Sequence, residues 1–202
     1  MHGVLKSLSA EQIGAAVRER YSEVARDPDR GYNFPVGRGF AEAVGYPASL
    51  LDALPVRAAA AFAGVACPVP HAKLRPGERV IDLGCGAGLD TLYAARLVQP
   101  GGKVIGLDIA PDMIARARAA IAEAGIDHAE ARLVDGRRLP VEDGWADAVI
   151  VNGVFNLTPN KSALIAEVFR VLKPGGRLVA AEIVLAAPLP PGEGETLDDW
   201  FR

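Results

Sequence analysis

The sequence predicts an α/β protein, a parallel, doubly wound sheet with helices on both faces, preceded by a helical cap. Three observations carry this. From residue 79 onward, short apolar runs alternate with segments of helical period. Each of the first four runs ends in a glycine or an acid, in "VIDLG", "VIGLD", "ARLVDG" and "VIVNG". Ahead of them, some 70 residues show helices and loops but no strand pattern. The boundaries expected are 1–72 for the cap and 73–202 for the sheet-bearing core.

Residues 9–26 read as a helix, with Ser9 and Gln12 spaced as a capping box and Ile13, Val17, Tyr21 and Val24 on one face. "DPDRGYNFPVGRG" at 27–39 reads as a loop. "PASLLDAL" and "VRAAAAFAGV" read as two short helices, and 67–78 as the linker. Then "RVIDLG" is a buried strand and "GLDTLYAARLV" a helix. "KVIGLDI" is a strand, followed by a helix that Pro111 and Asp112 begin. "AEARLVDG" and "ADAVIVNG" are strands three and four. "NKSALIAEVFRVLK" is a helix closed by "PGG", and "RLVAAEIVL" is strand five, with Glu182 inside it. Such alternation gives a parallel sheet.

The bulk numbers narrow the function. The 202 residues are half apolar and carry a formal net charge of −3, with no basic block. A nucleic-acid partner lacks its electrostatic footprint. Two cysteines, Cys67 and Cys85, make no disulfide framework, and three scattered histidines show no metal-ligand spacing. No metal is expected. The first residues lack the apolar core of a signal peptide, and "AAAAFAGVAC" is too short to span a bilayer. The expectation is a cytoplasmic protein with a small-molecule substrate, no nucleic acid and no membrane.

The stretch "VIDLGCGAGLD" at 80–90 is the main clue. A dinucleotide loop reads G-x-G-x-x-G, but Leu89 stands where its last glycine would be, and no G-K-[ST] follows for a phosphate. With an acid at its start and no lysine, the loop suits a cationic ligand without phosphate. Asp108, 20 residues after Gly88, is placed to accept from ribose hydroxyls, a signal shared with NAD enzymes. Asp135 ends the third strand, where it can accept from an adenine amino group.

Together "VIDLGCGAG", "VIGLDIAPDMI", "VDGRRLP" and "VFRVLKPGGRL" resemble the class I S-adenosylmethionine-dependent methyltransferases, over about 79–186. The resemblance implies a Rossmann-like sheet and S-adenosyl-L-methionine as cofactor. It implies that Asp82, Gly84, Cys85, Gly86 and Gly88 face the amino-acid part of the cofactor and that Asp108 takes the ribose. Asp135 and Gly136 would meet adenine, with Ile109 and Met113 on its face and Asn152 near by. Transfer of methyl from a sulfonium cancels charge, so a dry, aligned site matters more than a strong acid or base. No catalytic residue is assigned.

"VIVNGVFNLTPNK", "VGYP" and "FAGVACPVP" extend the likeness to the arsenite methyltransferase branch, which binds trivalent arsenic through thiolates. Two cysteine positions of that branch fall here on Gly153 and Val65, with Cys67 two residues from the latter. Arsenite methylation with an altered thiol set is therefore an alternative to a bulkier organic acceptor, for which Gly153, Phe155 and Tyr21 would form the pocket. A non-catalytic cofactor-binding module is the alternative of another class. Asp90 reads either as a helix-start acid or as a group facing the cationic cofactor. His71 and His128 read as solvated, and Tyr21 and Tyr32 as core or lid. The family usually has about seven strands, whereas five are read here, so the C-terminal strands are expected to be missing. Strand five would be a bare edge, open to a second copy or another subunit. The tail would begin a helix at Thr196 with Leu197, Trp200 and Phe201 on its apolar face.

Overall fold

A computed structural model describes residues 8–187. Strands β1 (Arg79–Leu83), β2 (Lys103–Asp108), β3 (Ala129–Leu133), β4 (Ala146–Asn152) and β5 (Leu172–Ala181) form one sheet in the order β3-β2-β1-β4-β5, every pair parallel. The α/β reading is met. The helices are α1 (Ala10–Arg26), α2 (Arg38–Ala43), α3 (Ala48–Asp52), α4 (Val56–Ala60), α5 (Leu89–Leu97), α6 (Pro111–Glu123) and α7 (Lys161–Val171).

Side chains alternate across the sheet. Val80, Val104, Ala148 and Ile150 face α5, α6 and the cap residues Tyr46, Leu51 and Phe62. Ile81, Leu83, Ile105, Leu107 and Val149 face Leu164, Val168 and Val171 of α7. A sheet covered on both sides needs apolar residues at successive positions, which is why its strands read as continuous apolar runs. The cap thus shares its core with one face of the sheet.

The capping box at α1 forms as expected: Gln12 N–H donates to Ser9 Oγ at 3.2 Å, and Ser9 N–H to Gln12 Oε1 at 2.8 Å. Ile13 and Val17 of α1 pack with Ile109 and Leu157, so the helix lies across the carboxyl ends of the strands.

Three details differ from the sequence reading. The six residues of α2 are too short to show a period, and ion pairs from Arg38 to Glu42 and Asp52 hold them. α4 stops at Ala60 because the chain turns back there: Phe62 C=O accepts from Gly37 N–H at 2.8 Å. β5 starts at Leu172, before "PGG", which is absorbed as an irregularity opposite Ala146 and Ala148. It ends at Ala181, so Glu182 is not inside the strand. Its carboxylate instead accepts from the backbone of Val154 (2.9 Å), Phe155 (2.7 Å) and Asn156 (3.3 Å), holding the turn at Phe155–Leu157. Among the described residues β5 pairs only with β4. The helix expected at Thr196 and the first seven residues lie outside the described part. No described helix is long and apolar enough to cross a membrane.

Candidate active site

In an open parallel sheet, ligands bind beyond the strand ends where the strand order reverses. Here that point lies between β1 and β4. A cavity of about 750 Å³ opens there. Its floor is the β1–α5 loop, with Gly84, Cys85 and Gly86. Its roof is α1, with Gly14, Val17 and Tyr21.

The loop follows from its glycines. At Gly84 φ is +75°, and a Cβ there would lie 2.2 Å from Val154 Cγ2. Only glycine both adopts that conformation and lets the β1 and β4 ends approach. Gly84 N–H and Cys85 N–H donate to Leu107 C=O at 2.7 and 3.0 Å, which ties the loop to β2.

Asp108 sits at the tip of β2, where its two oxygens accept from Gly86 N–H (2.9 Å) and Ala110 N–H (2.8 Å). The side chain also lines the cavity and keeps further acceptor capacity on its oxygens. Ile109 and Met113 line the same wall. Asp135 and Gly136 stand at its exposed rim, where backbone N–H groups of Arg137 and Arg138 hold the Asp135 carboxyl below its ordinary range. Asn152 and Gly153 line the β4 side.

Three expected residues do not reach the cavity. Asp82 is 1% exposed and turned into the core, where Thr91 Oγ1 donates to it at 2.6 Å. An acid in mid-loop motif looks like a ligand group in sequence, but the sheet alternation turns this one toward α5. Gly88 packs against α6, where a Cβ would lie 3.2 Å from that of Ala117. Phe155 packs with the α7-side core, and Val154 and Leu157 form the wall instead. Tyr21 does line the cavity, and burial followed by the charge of Asp108 raises its hydroxyl pKa. Tyr32 does not line it: its hydroxyl donates to Asp27 C=O at 2.8 Å, and its ring stacks on Phe34. His71 is exposed in the linker, and His128 Nε2 lies 3.0 Å from Ala95 C=O, away from the cavity.

The charge balance is the most informative property of the site. Asp82, Asp90 and Asp108 converge on this end of β1 and β2, and none has an ion-pair partner among the described residues. Burial pushes the Asp90 carboxyl up to about 6, against hydrogen bonds from Tyr46 and Asn152. Burial, then the charge of Asp90, lifts Asp82 well above the carboxylate range. Burial raises Asp108 as well, against its backbone donors. Buried carboxylates without cations are costly, and a cationic ligand beside Asp90 and Asp108, the two that line the cavity, would relieve that cost. The Tyr46 contact was not legible in the sequence, since Tyr46 lies 44 residues from Asp90 in a cap segment without periodic signal.

The thiols are poorly disposed for metalloid chemistry. Cys85 lines the cavity but is 7% exposed, with its pKa raised by burial. Cys67 is 8% exposed, is not part of the cavity wall, and is pushed up to about 12 by burial and then Asp90. Val65 and Gly153 meet in space: a Cβ on Gly153 would lie 3.3 Å from Val65 Cγ1. Among the described residues no group of three His, Cys, Asp or Glu side chains could hold a metal ion.

Comparison with known proteins agrees with this geometry. The family model of the methyltransferase domain matches residues 74–202. An arsenite methyltransferase of Halobacterium salinarum is 41% identical over 196 residues, covering 89% of this chain and 49% of that protein. Nocamycin O-methyltransferase of Saccharothrix syringae is 37% identical over 126 residues, covering 62% of this chain and 42% of its own. The chain therefore spans about half the length of these curated relatives. Among solved structures, an arsenic(III) S-adenosylmethionine methyltransferase from Chlamydomonas reinhardtii superposes with a TM-score of 0.58 at 29% identity, over 77% of this chain and 52% of that one. A SAM-dependent methyltransferase from Aquifex aeolicus shares the fold with a TM-score of 0.55 at 21% identity, over 78% of this chain and 80% of that one. The chain belongs to the methyltransferase domain family and has the fold of the S-adenosylmethionine-dependent methyltransferases.

Proposed function

We propose that the chain transfers a methyl group from S-adenosyl-L-methionine to a small organic acceptor. The observation that carries this reading is the set of buried carboxylates without cations beside a glycine loop. S-adenosylmethionine, when bound, supplies an electrophilic methyl group on a sulfonium cation. The residues present fit it. Asp108 keeps lone pairs for ribose hydroxyls, and Ile109 and Met113 give an apolar surface for the base, with Asp135 and Gly136 at its polar edge. Gly84, Cys85 and Gly86 leave room for the amino-acid part, and the Asp90 charge and the Asn152 amide stand beside it. α1 roofs the cavity and keeps water from the reacting atoms, which favours a reaction that disperses charge. Chemistry of this kind needs alignment before it needs a base.

The acceptor space is bounded by Gly153, Val154 and Tyr21 and is mainly apolar. Gly153 and Val65, which meet in space, carry no thiols at the two positions where the arsenite branch would have them, which favours an organic nucleophile over arsenite. Adding arsenite while watching the ultraviolet thiolate–arsenic absorption tests the alternative. A change abolished by Cys85→Ser or Cys67→Ser would reinstate it.

Residues 1–72 act as a cap on a 73–202 core in this reading, and the protein works in the cytoplasm. The open edge of β5, and the exposed Ile183, Val184 and Leu185 that follow it at 56%, 83% and 64% exposure, would be covered by a second copy or another subunit. Sedimentation of the purified chain tests this, since a monomer at all concentrations removes self-association.

The primary test is calorimetric titration of S-adenosylhomocysteine into the chain, with Asp108→Ala as control. Binding weakened by about a hundredfold in the control supports the cofactor site, two lost charge-assisted hydrogen bonds being of that order. No binding by the folded wild-type chain overturns it.

A further inference from the structure

Asp90 is held by two elements that share nothing in sequence. From the cap, the Tyr46 hydroxyl donates to Asp90 Oδ1 at 2.5 Å. From the tip of β4, Asn152 Nδ2 donates to Asp90 Oδ2 at 3.0 Å and lies 3.2 Å from the Tyr46 oxygen. Asn152 then fastens the cap a second time. Its Oδ1 accepts from Val65 N–H (2.8 Å) and Ala66 N–H (3.2 Å), and its Nδ2 donates to Ala66 C=O at 2.8 Å. Gly64 makes this approach possible, since a Cβ there would lie 2.5 Å from Asn152 Nδ2. Tyr46, Asp90 and Asn152 are 2%, 5% and 9% exposed. Both Asp90 and Asn152 nevertheless line the cavity.

A helix-start acid needs none of this, because solvent and the helix N-terminus would satisfy it. Here two donors fix both oxygens of a carboxylate that looks into a ligand cavity. The ionisable groups facing it are Asp82 from β1, Tyr93 on α5, and Tyr46 and Cys67 from the cap, none of them cationic. The arrangement holds an anion in place and leaves its charge uncompensated.

We propose that the Tyr46–Asp90–Asn152 cluster is a latch between cap and core that aims the Asp90 carboxylate at the cofactor's α-ammonium group, with Tyr46 and Asn152 as positioning residues. This rests on the proposed cofactor site and adds a role for the cap in binding the amino-acid end. Docking of the cap and binding of the cofactor then reinforce each other, because the same carboxylate serves both. Burial keeps the Asp90 carboxyl at about 6 even with its two donors. Losing the Tyr46 donor raises it further, so the anion would be lost at a higher pH.

The test pairs two ligands. S-adenosylhomocysteine has the amino-acid end, and 5′-methylthioadenosine is the same nucleoside thioether without it. Both are titrated calorimetrically into wild type, Asp90→Asn, Tyr46→Phe and Asp108→Ala, at about pH 5 and about pH 8, on either side of the Asp90 carboxyl. Asp90→Asn is expected to weaken S-adenosylhomocysteine about tenfold at the higher pH, the scale of one charge-assisted hydrogen bond, and to leave 5′-methylthioadenosine within about twofold. Tyr46→Phe should weaken S-adenosylhomocysteine by a larger factor at the lower pH than at the higher. Asp108→Ala should weaken both ligands, and its failure to do so would count against the cofactor reading itself. Equal losses for both ligands in Asp90→Asn would overturn the latch while leaving that reading intact. So would a Tyr46→Phe loss independent of pH. A carbon-13 carboxyl titration of the ligand-free chain reads the Tyr46–Asp90 link directly: an Asp90 midpoint unmoved in Tyr46→Phe also overturns it.

Discussion

The two ends of the sheet treat acids in opposite ways. At the amino ends of the strands three acids are paired. Glu78 meets Arg177 at 2.6 Å, Asp147 meets Lys173 at 2.5 Å, and Glu130 meets Lys103 at 2.9 Å and Arg132 at 2.8 Å. The carboxyls of Glu78 and Glu130 are depressed, by Arg177 and by Arg132 respectively, Glu130 to about 2. At the carboxyl ends Asp82, Asp90 and Asp108 are more deeply buried, have no cation, and are raised. One chain thus carries one set of acids satisfied by its own arginines and lysines and another left open. Charges paired internally contribute to folding, whereas charges left open cost stability until a ligand arrives.

The largest expected effect comes from closing the open end. Gly84→Ala forces a side chain into φ +75° against Val154. It should cost about 2–4 kcal/mol in denaturant unfolding and abolish S-adenosylhomocysteine binding. A second substitution, Val154→Ala, should restore part of the stability by removing the collision but not the strain. Full recovery would show that backbone conformation is unimportant there.

Breaking the paired end should do the reverse. Arg177→Ala removes the partner of Glu78 and the donors to Ala72 and Lys73 carbonyls that tie β5 to the linker. The pair is partly exposed, so the expected loss is about 1–2 kcal/mol, with cofactor affinity within about twofold of wild type. A large loss of affinity with little loss of stability would erase the contrast between the ends.

A pH series separates the ends without mutation. For the depressed acids Glu78 and Glu130, stability is present above their ordinary pKa of 4.5 and is lost as pH falls, for Glu130 toward its folded value of about 2. For Asp90 the anion is lost earlier, near 6. Between about pH 8 and about pH 5, S-adenosylhomocysteine affinity should therefore fall about tenfold while the stabilisation from the paired acids persists. Calorimetry and thermal unfolding on the same samples check this, and parallel decline would refute it.

Much of this was legible in the sequence, and for a physical reason. Strand identity and sheet direction are local properties, written in the apolar runs from Val80, Val104 and Ala146 and in the helices between them. Gly84, Gly86 and Asp108 could be placed because loops at strand ends carry their chemistry in short spacings. Orientation was harder. Asp82 and Phe155 stand next to cavity residues in the chain but point away, because a change of one position along a strand or turn reverses the side chain. Tyr46 and Asn152 were harder still. Asn152 could be placed near the site from its strand end, but its partners lie 86 and 106 residues away, and no local pattern announces a contact of that range.

The smallest effect tests whether the open acids cost stability at all. The Asp90 carboxyl is raised in the folded chain from 3.8 to about 6, so the folded state takes up its proton more readily than the unfolded state. Ionisation therefore penalises folding. The penalty is absent below 3.8, grows between there and about 6, and is constant above. Asp90→Asn removes the ionisation and keeps an oxygen for Tyr46. Without ligand, its unfolding midpoint relative to wild type should rise by a few degrees between about pH 4 and about pH 6 and stay level beyond. With saturating S-adenosylhomocysteine the gap should narrow, since wild type then gains more from binding, on the scale of the tenfold difference in affinity. An Asp90→Asn chain less stable than wild type at every pH, with and without ligand, would mean that Asp90 belongs with the structural acids of the other end, and that its place beside the cavity is incidental.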